Sequence, residues 1–417
     1  MGKEIDKKVV LISLDALSDT EFERLKKLDN FSKFIKKGAY SYNSISVYPT
    51  QTYTVHTSVI TGDYPDKHGI YNNQYFQPFV ESKDKEWFWY RHQIKTNTLY
   101  DVLRENKRKV CSVLWPVSGK SRIKYNMPEI VAVKKENQAL KVLKNGSLVF
   151  STRCELKYGK YRKGILQPEL DEFAVMCAVD CIKRHAPDLV MVHLVSIDAA
   201  KHNYGVESDV INDALIALDK MIGDIIDACN DEYTFVMFSD HGQFTVEKDV
   251  FINVFLEKNG LLSFENKTYD SYIECMGGSG VLRAKNSESF SKTLKLLEDN
   301  KDMLGIEEIY NREDLDELHI NTDIEIIIEA KNGYHLKEGN SEKVIADLKE
   351  ENIVHATHGY SPLKDNYSCL FFAMGDGIKQ GYKIDEMEVV DIAPTVARVM
   401  GINEFKCDGH ILEHILE

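Results

Sequence analysis

The feature that most constrains the fold is a set of apolar runs that end in acidic or imidazole side chains. The runs are VVLIS, DLVMVHLVSI and YTFVMFS, and a further histidine lies in the short segment THGY. In chain order the polar side chains are Asp15, Asp198, His202, Asp240, His241 and His358. Apolar runs of this length bounded by polar residues indicate buried strands of an α/β sheet. Ligands placed just past strand ends converge at one edge of such a sheet.

This combination of side chains also indicates a type of chemistry. Three aspartates and three histidines are suited to binding two divalent cations of zinc type. Two such cations beside a hydroxyl nucleophile are suited to phosphoryl transfer.

The alternation of strand and helix patterns predicts an α/β fold with a mostly parallel central sheet and helices on both faces. The patterns predict strands at 8–13, 110–115, 188–197 and 233–239, and helices at 19–37, 52–60, 168–183 and 208–229. The basic stretch 126–166 is irregular and is predicted to form loops or a hairpin over one face. Its lysines and arginines are interpreted as a solvated surface, with contact to an anionic leaving group as the alternative.

The pattern changes between 255 and 345, where a GGSG turn, a helix SESFSKTLKLLEDN and a strand group DIEIIIEA follow one another. We interpret 255–345 as an inserted small α+β cap, and 1–254 with 346–417 as the core. After THGY the sheet resumes with CLFFAMG and closes with the helix DIAPTVARVMGI. Cap residues near 275–280 and 332–336 are expected to border the leaving-group pocket.

Composition excludes some partners. The 417 residues carry a formal net charge of −14, which argues against binding to nucleic-acid polymers or anionic membranes. No run approaches the roughly 18 apolar residues of a transmembrane helix. A cleaved signal peptide would remove Asp15, so a cytoplasmic location is expected.

The eight scattered cysteines indicate reduced, buried thiols. Cys177 and Cys181 are four residues apart on a predicted helix and could together bind zinc, but we interpret them as core residues.

Each proposed ligand also has an ordinary interpretation. Asp198 and His202 are spaced i, i+4, which places both on one helical face as a shared metal requires, but the same spacing occurs in solvated or capping positions. His358 could equally be a surface histidine, and His355, three residues earlier, competes with it.

Two further aspartates could instead be helix caps. Asp15 ends a strand where an N-cap is common. Asp240 and His241 point to opposite sides of a strand and reach one cation only if the strand ends there, which the turn at Gly242 permits.

Candidate nucleophiles lie in the segment 48–73. Its hydroxyl residues are Thr50, Thr52, Thr54, Thr57 and Ser58, most of which must be caps or packed helix residues. A hydroxyl at a helix N-terminus beside a cation would have its alkoxide stabilised by both. Composition does not choose among them.

A family resemblance selects one of these hydroxyl residues. The segment YPTQTYTVHTSVITGDYPDKHGIYNN resembles the PTxTFPNH…TGxxPxxHGIxxN pattern of the nucleotide pyrophosphatase/phosphodiesterase branch of the alkaline phosphatase superfamily. Trp115-Pro116 is also similar to that branch, and DIAPTVARVMGI resembles the usual terminal helix of the superfamily. The resemblance implies that Thr52 is the nucleophile and that Asn73 holds a phosphoryl oxygen.

The same resemblance assigns the cations and the substrate contacts. It implies that Asp198, His202 and His358 bind one zinc, and that Asp15, Asp240 and His241 bind a second zinc that Thr52 contacts. It places Tyr53, Asn73, His193 and Trp115 at the substrate. Tyr53 and Val55 replace a Phe and an Asn of the family pattern, and His193 replaces a Tyr that stacks on nucleobases.

The implied activity is hydrolysis of a small phosphodiester or nucleotide pyrophosphate through a phospho-threonine intermediate. Two alternatives remain within the superfamily, a phosphomonoesterase and a phosphonoacetate-hydrolase-like enzyme. A non-catalytic binding protein on this fold is a third. The sequence leaves the oligomeric state open.

Overall fold

A computed structural model describes residues 6–321 and 323–417 of the chain. Its strands are β1 Lys8–Leu14, β2 Gly38–Ile45, β3 Val110–Val113, β4 Tyr125–Met127, β5 Leu189–Leu194, β6 Tyr233–Phe238, β7 Phe244–Thr245, β8 Lys248–Val250, β9 Leu262–Ser263, β10 Thr268–Tyr269, β11 Ser271–Cys275, β12 Ser279–Ala284, β13 Ile306–Tyr310, β14 Ile327–Ala330, β15 Tyr334–Leu336, β16 Ile345–Asp347, β17 Ala356–Thr357, β18 Cys369–Met374, β19 Tyr382–Lys383 and β20 Met387–Glu388.

The α-helices of the same residues are α1 Phe22–Leu25, α2 Asp29–Lys37, α3 Thr52–Thr61, α4 Pro65–His68, α5 Leu99–Glu105, α6 Gln138–Asn145, α7 Leu148–Tyr158, α8 Glu169–His185, α9 Ser196–Tyr204, α10 Val210–Ile226, α11 Ile252–Lys258, α12 Ser287–Asp299, α13 Arg312–Glu317, α14 Leu348–Glu351 and α15 Ile392–Val399.

The central sheet has the order β19-β2-β18-β6-β1-β5-β3-β4, with β20 beside β2. Strand β1 pairs in parallel with both β5 and β6, and every residue of β1, β5 and β6 except Lys8 is buried. Because a parallel sheet is covered on both faces, its strands are apolar throughout rather than alternating. Strand β18 runs antiparallel between β2 and β6. The predicted α/β fold with a mostly parallel sheet is confirmed.

Helices cover both faces of this sheet. One face packs against α2, α8 and α10 through a cluster that includes Phe34, Phe173 and Leu215. The other packs against α3, α5 and α15 through a second cluster that includes Val59 and Leu103. The site-bearing loops therefore extend from a sheet that is held from both sides.

A second, smaller sheet lies within the range 255–345. Strands β11, β12, β14 and β13 pair antiparallel in that order, and α12 packs against β11 and β12. A three-stranded sheet of β15, β8 and β16 connects this part of the chain to the segment that follows β6.

The stretch 126–166 corrects a prediction. It holds helices α6 and α7 rather than loops or a hairpin. Asn137 caps α6 by accepting the Leu140 N–H at 3.0 Å, and α7 buries Phe150 and Cys154 in the core. The many basic residues indicated a solvated surface, so the apolar spacing of these helices was not recognised, although long basic side chains also favour helices.

Two other elements differ from expectation. The predicted helix 19–37 is divided, because residues 26–28 separate α1 from α2. Strand β2 was not predicted, since GAYSYNSI alternates small and polar residues instead of forming an apolar run.

Two more sequence-based expectations concern membranes and thiols. Among the described residues no helix combines the length and apolarity that a membrane span requires. All eight cysteines are free, and Cys177 and Cys181 pack in the core.

Candidate active site

The candidate ligands converge at the ends of neighbouring strands. Asp15 follows β1, and its backbone N–H donates to Leu194 O at the end of β5 at 3.0 Å. Helix α9 begins directly after β5, because Asp171 of α8 accepts the Val195 and Ser196 N–H groups at 2.9 and 2.8 Å. This tight strand-to-helix junction puts Asp198 in the first turn of α9, beside Asp15.

Asp198, His202 and His358 form the first group. Asp198 Oδ1 lies 3.2 Å from His202 Nε2, so the i, i+4 spacing does place both on one helical face. One potential ligand atom from each of the three residues lies within 4.8 Å of the others. His202 Nδ1 contacts Ala356 O at 2.7 Å and His358 Nδ1 contacts Thr50 O at 3.0 Å. These contacts leave each Nε2 as the ligand atom, as metal-binding histidines require.

His355, the competing candidate, lies elsewhere and contacts Asp249.

Asp15, Asp240 and His241 form the second group with Thr52. His241 Nε2 lies 3.4 Å from an oxygen of each aspartate and 3.2 Å from Thr52 Oγ1.

The two groups adjoin, since ligand atoms of Asp15, Asp198 and His241 are also within 4.8 Å of one another. The His241 and His358 rings stack with centroids 4.0 Å apart. Gly242 is required for its size, because a Cβ there would lie 2.9 Å from the Tyr367 ring.

Thr52 is the first residue of α3 and is 8% exposed. Its hydroxyl therefore lies at the positive end of the helix dipole. The Tyr53 N–H donates to Asn73 Oδ1 at 2.8 Å, which fixes the Asn73 amide beside this helix terminus and leaves its NH₂ group as the remaining donor. Thr54 and Thr57, the neighbouring hydroxyl residues, are buried in the helix packing.

Burial shifts the ionisation of the carboxylates. Burial and the charges of Asp240 and Asp198 raise the pKa of Asp15 well above its ordinary value. Burial likewise raises the pKa of Asp240 to about 6. Burial opposes ionisation of Asp198 too, but His202 and then His358 lower its pKa below the ordinary value.

Burial lowers the pKa of both His241 and His358 to about 3. The nitrogens of these two neutral imidazoles are free to bind a cation, and a bound cation would stabilise the ionised form of the aspartates. The third imidazole differs: although burial lowers the pKa of His202, Asp198 raises it above the ordinary value.

Two orphaned oxygens show that the residues fit cations. Asp15 Oδ1 and Asp240 Oδ2 are buried and have no hydrogen-bond partner. Their other oxygens are held, by His193 Nε2 at 3.0 Å for Asp15 and by the Ala16 and His241 N–H groups for Asp240. A buried carboxylate oxygen without a donor is costly unless a cation binds it. The donor set and this geometry suit divalent metal ions of zinc type.

Three residues expected at the substrate are buried instead. Tyr53, Trp115 and His193 are 0% exposed. Both His193 nitrogens are used, because Nε2 contacts Asp15 and Nδ1 contacts Glu129 Oε2 at 2.7 Å. Trp115 packs against His56 and Phe238, and Tyr53 packs against Trp87. All three side chains lie beneath the ligand groups in this structure, and their contact with a substrate stays a prediction.

Other supporting residues were not found from the sequence. Gln243 Nε2 donates to Asp198 Oδ1 at 2.5 Å, and Glu129 orients His193. His56 contacts Thr52 O at 2.7 Å, one helical turn behind the hydroxyl. Only His56 had a signal, because it occupies the final His of the PTxTFPNH pattern.

The turn at 276–278 approaches the site from the smaller sheet. Gln51 Nε2 donates to Met276 O at 2.7 Å, and the Gly278 N–H donates to His358 O at 2.8 Å. A Cβ on Gly359 would lie 1.9 Å from Met276 O, so a glycine with φ of +91° is needed there. Strand β15 contacts the same turn, since the Leu336 N–H donates to Gly277 O.

Solved structures share this architecture. An inactive variant of murine ectonucleotide pyrophosphatase/phosphodiesterase 5, in complex with AMP, matches 99% of this chain and 100% of its own with a TM-score of 0.72 and 14% identity. The human form of that protein gives a TM-score of 0.71 at 17% identity. At these identities the likeness shows the fold alone.

Two sequence relatives are similar over different lengths. Human ectonucleotide pyrophosphatase/phosphodiesterase family member 1 is 28% identical over 240 residues, which are 54% of this chain but 22% of that protein. Human bis(5'-adenosyl)-triphosphatase ENPP4 is 22% identical over 415 residues, 96% of this chain and 80% of that protein. The model of the type I phosphodiesterase / nucleotide pyrophosphatase family matches residues 9–361. The chain belongs to this family.

Proposed function

We propose that this chain hydrolyses small phosphodiesters or nucleotide pyrophosphates by nucleophilic attack from Thr52 Oγ1. The observation that carries the proposal is the position of that oxygen, 3.2 Å from His241 Nε2 at the junction of the two ligand groups. Family membership supports phosphodiester hydrolysis. The AMP complex of the murine structural relative and the printed activity of the human ENPP4 relative support a nucleotide-type substrate.

The proposed cofactors are two divalent metal ions, most consistent with zinc. The first would be held by Asp198, His202 and His358, and the second by Asp15, Asp240 and His241, with Thr52 beside it. Such ions, when bound, supply Lewis acidity and lower the pKa of a nearby hydroxyl. Asp198 also adjoins the second group, which supports two neighbouring ions.

The residues of the chain would perform two displacements. In the first, a bond forms between Thr52 Oγ1 and phosphorus while the bond from phosphorus to the leaving oxygen breaks, and the hydroxyl proton passes to water. In the second, water attacks phosphorus, the Oγ1–phosphorus bond breaks, and Thr52 recovers a proton. The Asn73 NH₂ group would donate to a phosphoryl oxygen throughout, and the N-terminus of α3 would favour the developing negative charge.

Variants of α3 test the nucleophile. We expect Thr52→Ala to abolish turnover of bis(p-nitrophenyl) phosphate while the purified protein keeps the zinc content of the wild type. Thr57→Ala is the matched control, because Thr57 lies on the same helix and its hydroxyl donates only to Tyr53 O. Near-normal turnover by Thr52→Ala would refute the assignment.

A substrate panel separates the reactions of the superfamily. Zinc-loaded protein should cleave bis(p-nitrophenyl) phosphate and dinucleotide polyphosphates faster than p-nitrophenyl phosphate or phosphonoacetate. Preference for the monoester would make the chain a phosphomonoesterase, and turnover of phosphonoacetate would favour C–P cleavage. Absence of turnover across the panel would favour a binding protein.

We also propose two points about organisation. The range 255–345 acts as a cap on a core of 1–254 and 346–417, which the approach of residues 276–278 to Gln51 and His358 supports. A cytoplasmic location is supported by the eight free thiols. Fractionation of cells that produce the full protein would test the location.

A further inference from the structure

A second cluster of metal-ligand type lies outside the candidate active site. Asp249 of β8, His335 of β15 and His355, just before β17, each place one potential ligand atom within 4.8 Å of the other two. Asp249 Oδ1 lies 2.9 Å from His335 Nδ1 and 3.4 Å from His355 Nε2. His335 lies 86 positions after Asp249 in the sequence, and His355 lies further along the chain. The fold, not the local sequence, therefore brings the three residues together.

The backbone holds these side chains in place. Asp249 and His335 are direct register partners in the parallel pair of β8 and β15. His355 is fixed by its carbonyl, which accepts the Val246 N–H at 2.9 Å. Rigid strands of this kind keep the ligands of a metal site at a constant separation.

The cluster has an unmet polar group. His355 Nε2 is buried and has no hydrogen-bond partner, although it points toward Asp249. Asp249 is 4% exposed, whereas the side chains of His335 and His355 are 19% and 20% exposed. Solvent therefore reaches part of both rings, and a water from it could supply a fourth ligand.

The second oxygen of Asp249 is already held. Lys337 Nζ donates to Oδ2 at 2.7 Å, which leaves Oδ1 facing the two imidazoles. Carboxylate ligands of metal ions are commonly hydrogen-bonded through their other oxygen in this way. The positive charge of Lys337 also weakens the attraction for a cation, so we expect weaker binding here than at the active site.

From this geometry we propose that Asp249, His335 and His355 form an additional divalent-cation site of zinc type, separate from the active site. Two imidazoles and one carboxylate are a known ligand set for zinc, with an open position for water. The site would link three segments. These are β15, which follows the smaller sheet, β8, which follows β6, and the segment that leads to His358. Its role would be to stabilise this junction.

Zinc content provides the first test. Full-length wild type and the double variant His335→Gln/His355→Gln are saturated with zinc, desalted and measured by plasma mass spectrometry. Glutamine can still donate to Asp249, so the variant is expected to fold. We expect the variant to hold one zinc fewer per chain than the wild type. This difference is independent of the number of ions in the active site, so it stands or fails separately from the proposed function.

Thermal unfolding provides the second test. We expect zinc at about 100 times its dissociation constant to raise the wild-type melting temperature by several degrees more than that of the double variant. His414→Gln, at an exposed histidine, should behave as the wild type. At saturating zinc, both variants should turn over bis(p-nitrophenyl) phosphate within about twofold of the wild-type rate. Equal zinc content with equal melting responses would overturn the proposal and leave a hydrogen-bonded cluster without a metal.

Discussion

At the scale of single residues, Asn73 has two separable duties. Its Oδ1 accepts the Tyr53 N–H at 2.8 Å, which positions the start of α3. Its NH₂ group is the donor proposed to hold a phosphoryl oxygen. Any substitution at this position therefore has to distinguish damage to the helix terminus from loss of the donor.

We expect Asn73→Ala to lower kcat by about 10²–10³, because one donor to a charged transition state is worth that much. Asn73→Asp keeps an oxygen for the Tyr53 N–H but has no NH₂ group, and it should be at least as impaired. Steady-state kinetics on a phosphodiester, with zinc content as a control, make the comparison. If Asn73→Asp retained most activity, the duty of Asn73 would be only to position the helix.

At the scale of elements, the candidate site depends on how α9 is fixed to the end of β1. Lys201 of α9 is 1% exposed, and its ammonium donates to Ala16 O at 2.7 Å and to Glu21 Oε2 at 2.8 Å. Ala16 follows Asp15 directly and has a φ of +62°, a conformation that L residues rarely adopt. The buried pair thus fixes a strained turn beside two proposed ligands.

Removing one partner of this pair should be costly. We expect Lys201→Met to destabilise the protein by about 3–5 kcal/mol, since it leaves the buried Glu21 charge with less compensation. Lys220→Met is the matched control, because its pair with Asp224 is exposed and should contribute at most about 0.5 kcal/mol. Urea denaturation measures both.

The double variant Lys201→Met/Glu21→Gln tests the cause. It should recover part of the lost free energy of unfolding, because the uncompensated charge is gone. A double variant that is less stable by the sum of both single changes would show that the two residues do not act as a pair.

At the scale of the whole molecule, Glu329 links the smaller sheet to segments that flank strands β2 and β18 of the central sheet. It lies on β14, accepts the Tyr48 hydroxyl and the Ser361 N–H at 2.8 Å each, and is 3.5 Å from Lys364. Burial raises the pKa of Glu329 to about 7, although the Ser361 N–H and Lys364 partly oppose this shift. Ionisation of the Glu329 carboxyl is therefore unfavourable in the folded protein.

The raised pKa predicts a dependence of stability on pH. Because the folded pKa exceeds the ordinary value, the contribution of Glu329 is full below about pH 4.5 and is lost as the pH rises through about 7. Glu329→Gln should lack this loss, and its stability relative to the wild type should improve by about 1–3 kcal/mol between pH 5 and pH 8. Urea titrations at both pH values test this. Parallel pH curves for the two proteins would contradict it.

The sequence predicted the parts of the fold that depend on apolar runs. Strands β1, β5 and β6 and helices α8 and α10 were found because buried parallel strands and amphipathic helices have distinct periods. Strand β2 was missed because its pairing with β18 is a tertiary contact that GAYSYNSI does not announce. The helices of 126–166 were missed because charge was given more weight than spacing.

In the candidate site, too, some features could be predicted from the sequence and others could not. The ligand positions could be anticipated, since they follow strand ends, and the structure brings all six together. The burial of the residues predicted to contact the substrate could not be anticipated. Whether a ring such as His193 faces solvent or lies beneath Asp15 depends on Glu129, which is distant in sequence and carried no motif.

Strand β18 has a consequence for the order in which the molecule can be assembled. It fills the gap between β2 and β6, yet it is made from residues 369–374, long after both neighbours have been synthesised. Until that segment leaves the ribosome, two unpaired edges face each other across an open slot, and unpaired edges promote association with other chains. Nascent chains that stop short of this strand should therefore rely on chaperones and be prone to aggregate.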